Sequence, residues 1–257
     1  MNRLRKIFSD KRKKLNIFCT AGYPDLSSTA EVILSLQRHG ADIVEIGMPY
    51  SDPVADGPVI QKSNMIALKN GMNMQLLFEQ LRSIKEQVKI PLVLMGYMNP
   101  VLQYSMERFC KDAAEAGIDG VILPDLPMHE FEKIYQDHFK KNGLGFIFLV
   151  TPETAKERLK KADKLSDGFL YAVSSSSTTG SVANHAWKEK YLQELTSAKL
   201  KNPVLVGFGI SGREGFEEAC KYASGAIIGS AYIKMLEKAT DIDAGTASFL
   251  REIRPNK

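Results

Sequence analysis

Eight short apolar runs alternate along this chain with segments whose apolar residues recur at helical spacing, and no linker-like stretch interrupts them. The strand-like runs are Leu15–Thr20, Ala41–Ile46, Leu92–Met95 continuing to Tyr97, Gly120–Leu123, Phe146–Val150, Phe169–Val173, Pro203–Val206 and Ala226–Ile228. Between them lie helical patterns such as Met74, Leu77, Phe78, Leu81, Ile84 and Val88, or Phe131, Ile134, Tyr135, His138 and Phe139, with all five of the latter expected to face inward. Ser28–Glu31 and Ser211–Glu214 match capping boxes, and Gly40, Gly117 and Gly143 sit where helices end. Eight βα units in 257 residues predict a single (β/α)8 TIM barrel spanning residues 1–257. An open doubly wound sheet would more often carry a GxGxxG turn after its first strand, and none is present.

The charge balance narrows the partners. The net charge of +4 arises largely from Arg3, Arg5, Lys6, Lys11, Arg12, Lys13 and Lys14. This run reads as a solvated amphipathic helix with Leu4, Ile7 and Phe8 on its inner face, and no aromatic or glycine-rich RNA motif accompanies it, so no nucleic-acid partner is expected. The three cysteines, Cys19, Cys110 and Cys220, are too widely spaced for a CxxC site and suit a reducing compartment. No signal core or membrane-length apolar run is evident, which predicts a cytoplasmic protein without a membrane partner. His39, His129, His138 and His185 do not cluster and no HExxH occurs, so no metal site is expected. The serines Ser174–Ser177 lack a G-x-S-x-G elbow, which argues against nucleophilic catalysis there.

Strand parity locates the chemistry. In the second strand Val44 and Ile46 must face the surrounding helices, which turns Ile43 and Glu45 into the lumen. Glu45 lies near the strand's C-terminal end, where barrel enzymes place their active sites. A carboxyl there should have a raised pKa, which suits a group acting first as acid and then as base. The loop that follows carries prolines at 49, 53 and 58 and two further carboxylates, Asp52 and Asp56. The same parity places Phe18 and Thr20, Val93, Met95 and Tyr97, and Phe169, Tyr171 and Val173 in the lumen, giving an apolar, aromatic mouth suited to a flat hydrophobic ligand. Gly207-Phe208-Gly209-Ile210-Ser211 and Gly229-Ser230-Ala231 follow strands seven and eight at helix starts, the recurrent phosphate site of such barrels, and Gly180 could add a further amide.

The segment from Glu45 to Pro58, EIGMPYSDPVADGP, resembles the E-[LI]-G-x-P-[FY]-S-D-P-x-A-D-G-P motif of the tryptophan synthase alpha chains. The glycine turns at 207–211 and 229–231 are similar to that family's phosphate-binding turns, and Tyr171, Thr179 and Gly180 fall at its matching positions. The resemblance implies a lyase performing retro-aldol cleavage of indole-3-glycerol phosphate to indole and glyceraldehyde 3-phosphate. It implies Glu45 as general acid/base and Asp56 as the partner of the indole N–H. Phe18, Ile60, Met95, Ile122 and Tyr171 would line the indole slot. Thr179, Gly180, Phe208, Gly209, Gly229 and Ser230 would surround the glycerol phosphate. It also implies an alpha2-beta2 heterotetramer with a tryptophan synthase beta chain that holds pyridoxal phosphate, with no cofactor in this chain. The family's loop after strand six reads S-R-x-G-V-T-G, whereas Ser175 and Ser177 stand here at the arginine and first glycine positions. Two other readings remain open: another phosphate-binding barrel performing isomerase chemistry, with Asp125 as its second acid/base, and a non-catalytic activator of a partner subunit.

Overall fold

The computed structural model describes residues 2–173 and 185–255. The chain enters through a short helix, α1 (Arg3–Lys6), and a 3-10 turn (Ile7–Ser9) before β1 (Lys14–Thr20). Then come α2 (Ser28–Arg38), β2 (Ile43–Gly47), α3 (Pro58–Lys69), α4 (Met74–Ile84) and β3 (Leu92–Met95). The middle of the chain forms α5 (Met98–Tyr104), α6 (Met106–Glu115), β4 (Gly120–Ile122) and α7 (Met128–Glu130). A π-helical turn (Phe131–Tyr135) leads into α8 (Gln136–Lys141), followed by β5 (Gly145–Phe146), β6 (Leu149–Val150), α9 (Lys156–Leu165) and β7 (Leu170–Ala172). The last third holds α10 (His185–Ser197), β8 (Val204–Val206), α11 (Arg213–Tyr222), β9 (Gly225–Ile228), α12 (Ser230–Lys238) and α13 (Ile242–Ile253).

All strand pairs are parallel, in the order β5-β4-β3-β2-β1-β9-β8-β7-β6. The two ends of that order are halves of one run, so the sheet closes into a barrel of eight staves. The fifth strand, expected unbroken from Phe146 to Val150, is divided at Ile147 and Phe148. Its first half pairs with β4 and its second with β7. Phe148 N–H leaves the ladder for the Ser166 hydroxyl at 3.1 Å. The stagger that barrel closure imposes on neighbouring strands accounts for the division.

Two apolar layers follow from the period-two alternation of each stave. The lumen is filled by Ile43, Val93, Ile122, Ile147, Phe169, Tyr171, Leu205 and Ile227, all buried. Val44, Ile46, Leu94, Val121, Leu170 and Ala172 point the other way, into the layer beneath the helices. Leu4 plugs the N-terminal end of the lumen, with Ile7 and Phe8 packed beside it. The basic run is tied down by ion pairs, Arg3 to Asp119 at 2.8 Å, Lys14 to Asp10 at 2.5 Å, and Arg5 to Asp167.

Several local expectations are revised. Ser28 is already helical and its hydroxyl accepts from Asp25 N–H at 3.3 Å, so the tight turn before α2 uses the group that a capping box would need. Gly212, without a side chain to cap, starts α11 in place of Ser211. The helix expected to reach Val88 ends at Ile84. Ile134 is 57% exposed, because the π-helical turn inserts a residue into the helical period and rotates that side chain outward. Two helices were not anticipated, α3, entered through Pro58 at its first position, and α5. Among the described residues, no helix is long and apolar enough to cross a membrane.

Candidate active site

Glu45 projects from β2 into the lumen and is wholly buried. On β1, the register places Phe18 opposite Glu45 and Asn16 opposite Ile43, so Asn16 shares the lumenal face one step below. The Asn16 Nδ2 donates to Glu45 Oε2 at 3.0 Å, while Glu45 Oε1 has no hydrogen-bond partner among the described residues. Burial pushes the Glu45 carboxyl up to about 8. The Asn16 hydrogen bond opposes that rise, and the charge of Asp56 adds to it.

Asp56 is carried over the barrel mouth by the proline-rich loop after β2. Its N–H donates to Pro53 O at 3.0 Å, and its carbonyl accepts from the Gln61 amide at 2.9 Å, which ties the loop to the first turn of α3. Just beyond β3, the Tyr97 hydroxyl donates to Asp56 Oδ2 at 3.1 Å and accepts from Ala55 N–H at 3.1 Å. Tyr97 in turn packs against Tyr50, with ring centroids 5.2 Å apart. Burial raises Asp56 to about 6, against the lowering effect of the Tyr97 hydrogen bond. Near neutral pH the site therefore holds a protonated carboxyl deep in the lumen and an ionised one at its mouth, a division of labour set by environment.

The mouth holds a small cleft lined by Phe18, Met48, Asp56, Met95, Tyr97 and Pro124, among others. The cleft brings Phe18, Met95 and Asp56 together. Ile122 and Tyr171 lie in the lumenal layer below, and Ile60 is half-buried on α3. Asp52 is exposed, its carboxyl accepting from the Ser51 hydroxyl, as a loop-ordering group would be. Asp125 binds the Met98 N–H with both carboxylate oxygens, at 3.0 Å each, and so caps α5. A larger open depression, lined by Lys13, Thr196, Lys199, Lys201 and Tyr222, lies at the opposite end of the barrel, remote from Glu45.

The turns after β8 and β9 lead into two helix N-termini. Gly212 begins α11 and Gly229 begins α12, and neither helix has a side-chain cap on its free N–H groups. The first turn of α12 also lacks an acidic residue, whereas that of α11 carries Glu214. Gly209 has φ +65°, a conformation that favours glycine. Gly207 serves another purpose: a Cβ there would come within 2.1 Å of the Tyr171 ring, so its absence makes room for that ring. Phe208 is half-buried, its ring 6.5 Å from that of Tyr191. Thr179 and Gly180, with Ser175 and Ser177, lie outside the described residues, as does the side chain of His185. No cluster of metal-ligating side chains occurs among the described residues.

Sequence reasoning missed Asn16 as the partner of Glu45 and gave Tyr97 a place in the lumen but no task. The signal for Asn16 was available: it sits two residues before Phe18 on the same face, a polar side chain beside the strand that carries the buried glutamate.

The family model described as tryptophan synthase alpha chain matches residues 4–254. The chain belongs to the tryptophan synthase alpha chain family. The tryptophan synthase alpha chain of Flavobacterium johnsoniae is 51% identical over 255 residues, covering 99% of this chain and 100% of that protein. Its counterpart in Christiangramia forsetii is 48% identical, over 99% of both chains. A crystal structure of the tryptophan synthase alpha chain from Legionella pneumophila superposes with a TM-score of 0.87 at 33% identity, covering 99% of this chain and 97% of that one. A chain of the tryptophan synthase complex from Pyrococcus furiosus gives a TM-score of 0.83 at 33% identity, covering 94% and 98% respectively. In this family the alpha subunit is a lyase that cleaves indole-3-glycerol phosphate in tryptophan biosynthesis.

Proposed function

We propose that this chain cleaves indole-3-glycerol phosphate to indole and glyceraldehyde 3-phosphate through Glu45 and Asp56. The observation that carries the assignment is the pair of carboxyls held apart in protonation, Glu45 buried in the lumen and raised to about 8, and Asp56 in the lining of the cleft at its mouth and raised to about 6. The indole ring lies between Phe18 and Met95, with Ile60, Ile122 and Tyr171 completing the slot. Protonated Glu45 gives its proton to the ring carbon that bears the glycerol side chain. The resulting positive charge spreads to the ring nitrogen, where ionised Asp56 accepts the N–H hydrogen bond and stabilises it. Glu45, now a carboxylate, takes the side-chain hydroxyl proton. The bond to the ring carbon breaks, its electron pair restores the neutral indole, and the hydroxyl carbon becomes the aldehyde. Glu45 ends protonated, ready for the next turnover.

The uncapped starts of α11 and α12 support phosphate binding by Gly209, Gly229 and Ser230, with Phe208, Thr179 and Gly180 contributing around them. The isomerase alternative needed a second acid/base at Asp125, whose oxygens are occupied by Met98 N–H. Family membership supports assembly with a beta chain into an alpha2-beta2 heterotetramer, with pyridoxal phosphate in the beta chain and no cofactor here. It also supports a cytoplasmic location. The test is release of indole from indole-3-glycerol phosphate by the purified chain, alone and with its beta partner. Release in either condition supports the lyase. Stimulation of the partner without release in either would establish a non-catalytic activator instead.

A further inference from the structure

The Asn16–Glu45 pair is left incomplete in an informative way. Both side chains are wholly buried, and one hydrogen bond of 3.0 Å joins them. Each also holds an unpartnered oxygen among the described residues, Asn16 Oδ1 and Glu45 Oε1. A buried acceptor without a donor is costly and calls for an explanation. A carboxamide N–H is neutral and can donate to a carboxyl in either protonation state, to a carboxylate oxygen or to the carbonyl oxygen of the acid.

We propose that Asn16 is the positioning residue for Glu45, donating through Nδ2 to Oε2 in both protonation states, as a carboxylate oxygen and as the carbonyl oxygen of the acid. Oε2 is thereby held in both halves of the cycle, and the unpartnered Oε1, which carries the proton of the acid, is left to exchange it with substrate. This rests on the reading of Glu45 as the acid/base of the cleavage. The neighbours agree with a neutral tuner. Among the described residues, the titratable groups that interact electrostatically with Glu45 are Asp56 from the loop after β2, Tyr171 from β7 and Cys19 from β1, and none of these is a cation. Lys14, next on the lumenal face of β1, is spent on Asp10 at 2.5 Å. A lysine or arginine at position 16 would fix Glu45 as a permanent carboxylate. An aliphatic residue would leave the carboxylate without its hydrogen bond. The amide serves both states.

The test uses Asn16→Leu, of similar volume but without donor or acceptor, and Asn16→Asp as a second variant should the first fail to fold. The ionisation of Glu45 is followed by its carboxyl carbon-13 signal, assigned by its loss in Glu45→Gln, alongside the pH profile of kcat/KM for indole release. Loss of a hydrogen bond to a charged group should raise the Glu45 transition by about one to two pH units. The alkaline limb of the profile should move by the same amount, with KM at neutral pH nearly unchanged. In Asn16→Asp the loss of the amide and the added carboxyl act in the same upward direction. An unshifted Glu45 transition in the variant that folds overturns the role of Asn16. Full turnover by Glu45→Gln overturns instead the underlying assignment of Glu45, so the two failures are distinguishable.

Discussion

Removing one hydroxyl at Tyr97 tests how the loop carboxylate is held. Tyr97→Phe deletes the hydrogen bond to Asp56 Oδ2 and the acceptor for Ala55 N–H, each at 3.1 Å, while keeping the ring against Tyr50. A hydrogen bond to a charged group contributes about 1.5–3 kcal/mol, and the half-buried position of Asp56 argues for the lower end. At 1.36 kcal/mol per pKa unit, the Asp56 transition should rise from about 6 to about 7. Asp56 must be ionised to stabilise the ring cation, so activity lost with falling pH is lost earlier in the variant. The kcat/KM for indole release at pH 6 should fall about fivefold, as ionised Asp56 drops from about a half to about a tenth, with little change at pH 8. An acid limb that overlays that of the parent protein would refute the coupling between Tyr97 and Asp56.

The parent protein should show a bell-shaped kcat/KM profile, falling below about pH 6 as Asp56 protonates and above about pH 8 as Glu45 ionises; a profile flat between pH 5 and 9 would contradict both assignments. Gly209→Asp puts a carboxylate on the left-handed turn after β8 and should weaken binding of glyceraldehyde 3-phosphate at least about tenfold by calorimetry, with unchanged affinity removing Gly209 from the phosphate site. Gly207→Ala would place a Cβ 2.1 Å from the Tyr171 ring, so thermal unfolding should report a loss of about 1–3 kcal/mol from overpacking. Unaltered stability and KM together would mean that the ring yields freely.

Strand parity was enough to place Glu45, because Val44 and Ile46 leave a β2 residue between them no face but the lumen. The same rule carried Phe169 and Tyr171 inward. What parity cannot supply is the partner across the ladder. That depends on register, and a shift between β1 and β2 would have moved Asn16 away from Glu45. The division of the fifth strand likewise belongs to barrel closure, a property of all the staves together. Ile134 escaped the helical pattern through a single inserted residue in the π-helical turn, which leaves no mark in the apolar spacing. Glycine was ambiguous for a different reason. Gly207 and Gly209 look alike in the motif, yet one makes room for Tyr171 and the other supplies a left-handed backbone turn.

The central claim is that Glu45 moves both protons of the cleavage. Glu45→Gln keeps the shape and the hydrogen-bonding capacity beside Asn16 but has no proton to give and no basic oxygen to receive one. Single-turnover release of indole from indole-3-glycerol phosphate, measured with calorimetric affinity for the same ester, tests this most directly. The expected result is a loss of turnover of about 10²–10⁴-fold or more with affinity kept within about threefold. Turnover within tenfold of the parent protein at unchanged affinity would contradict the account.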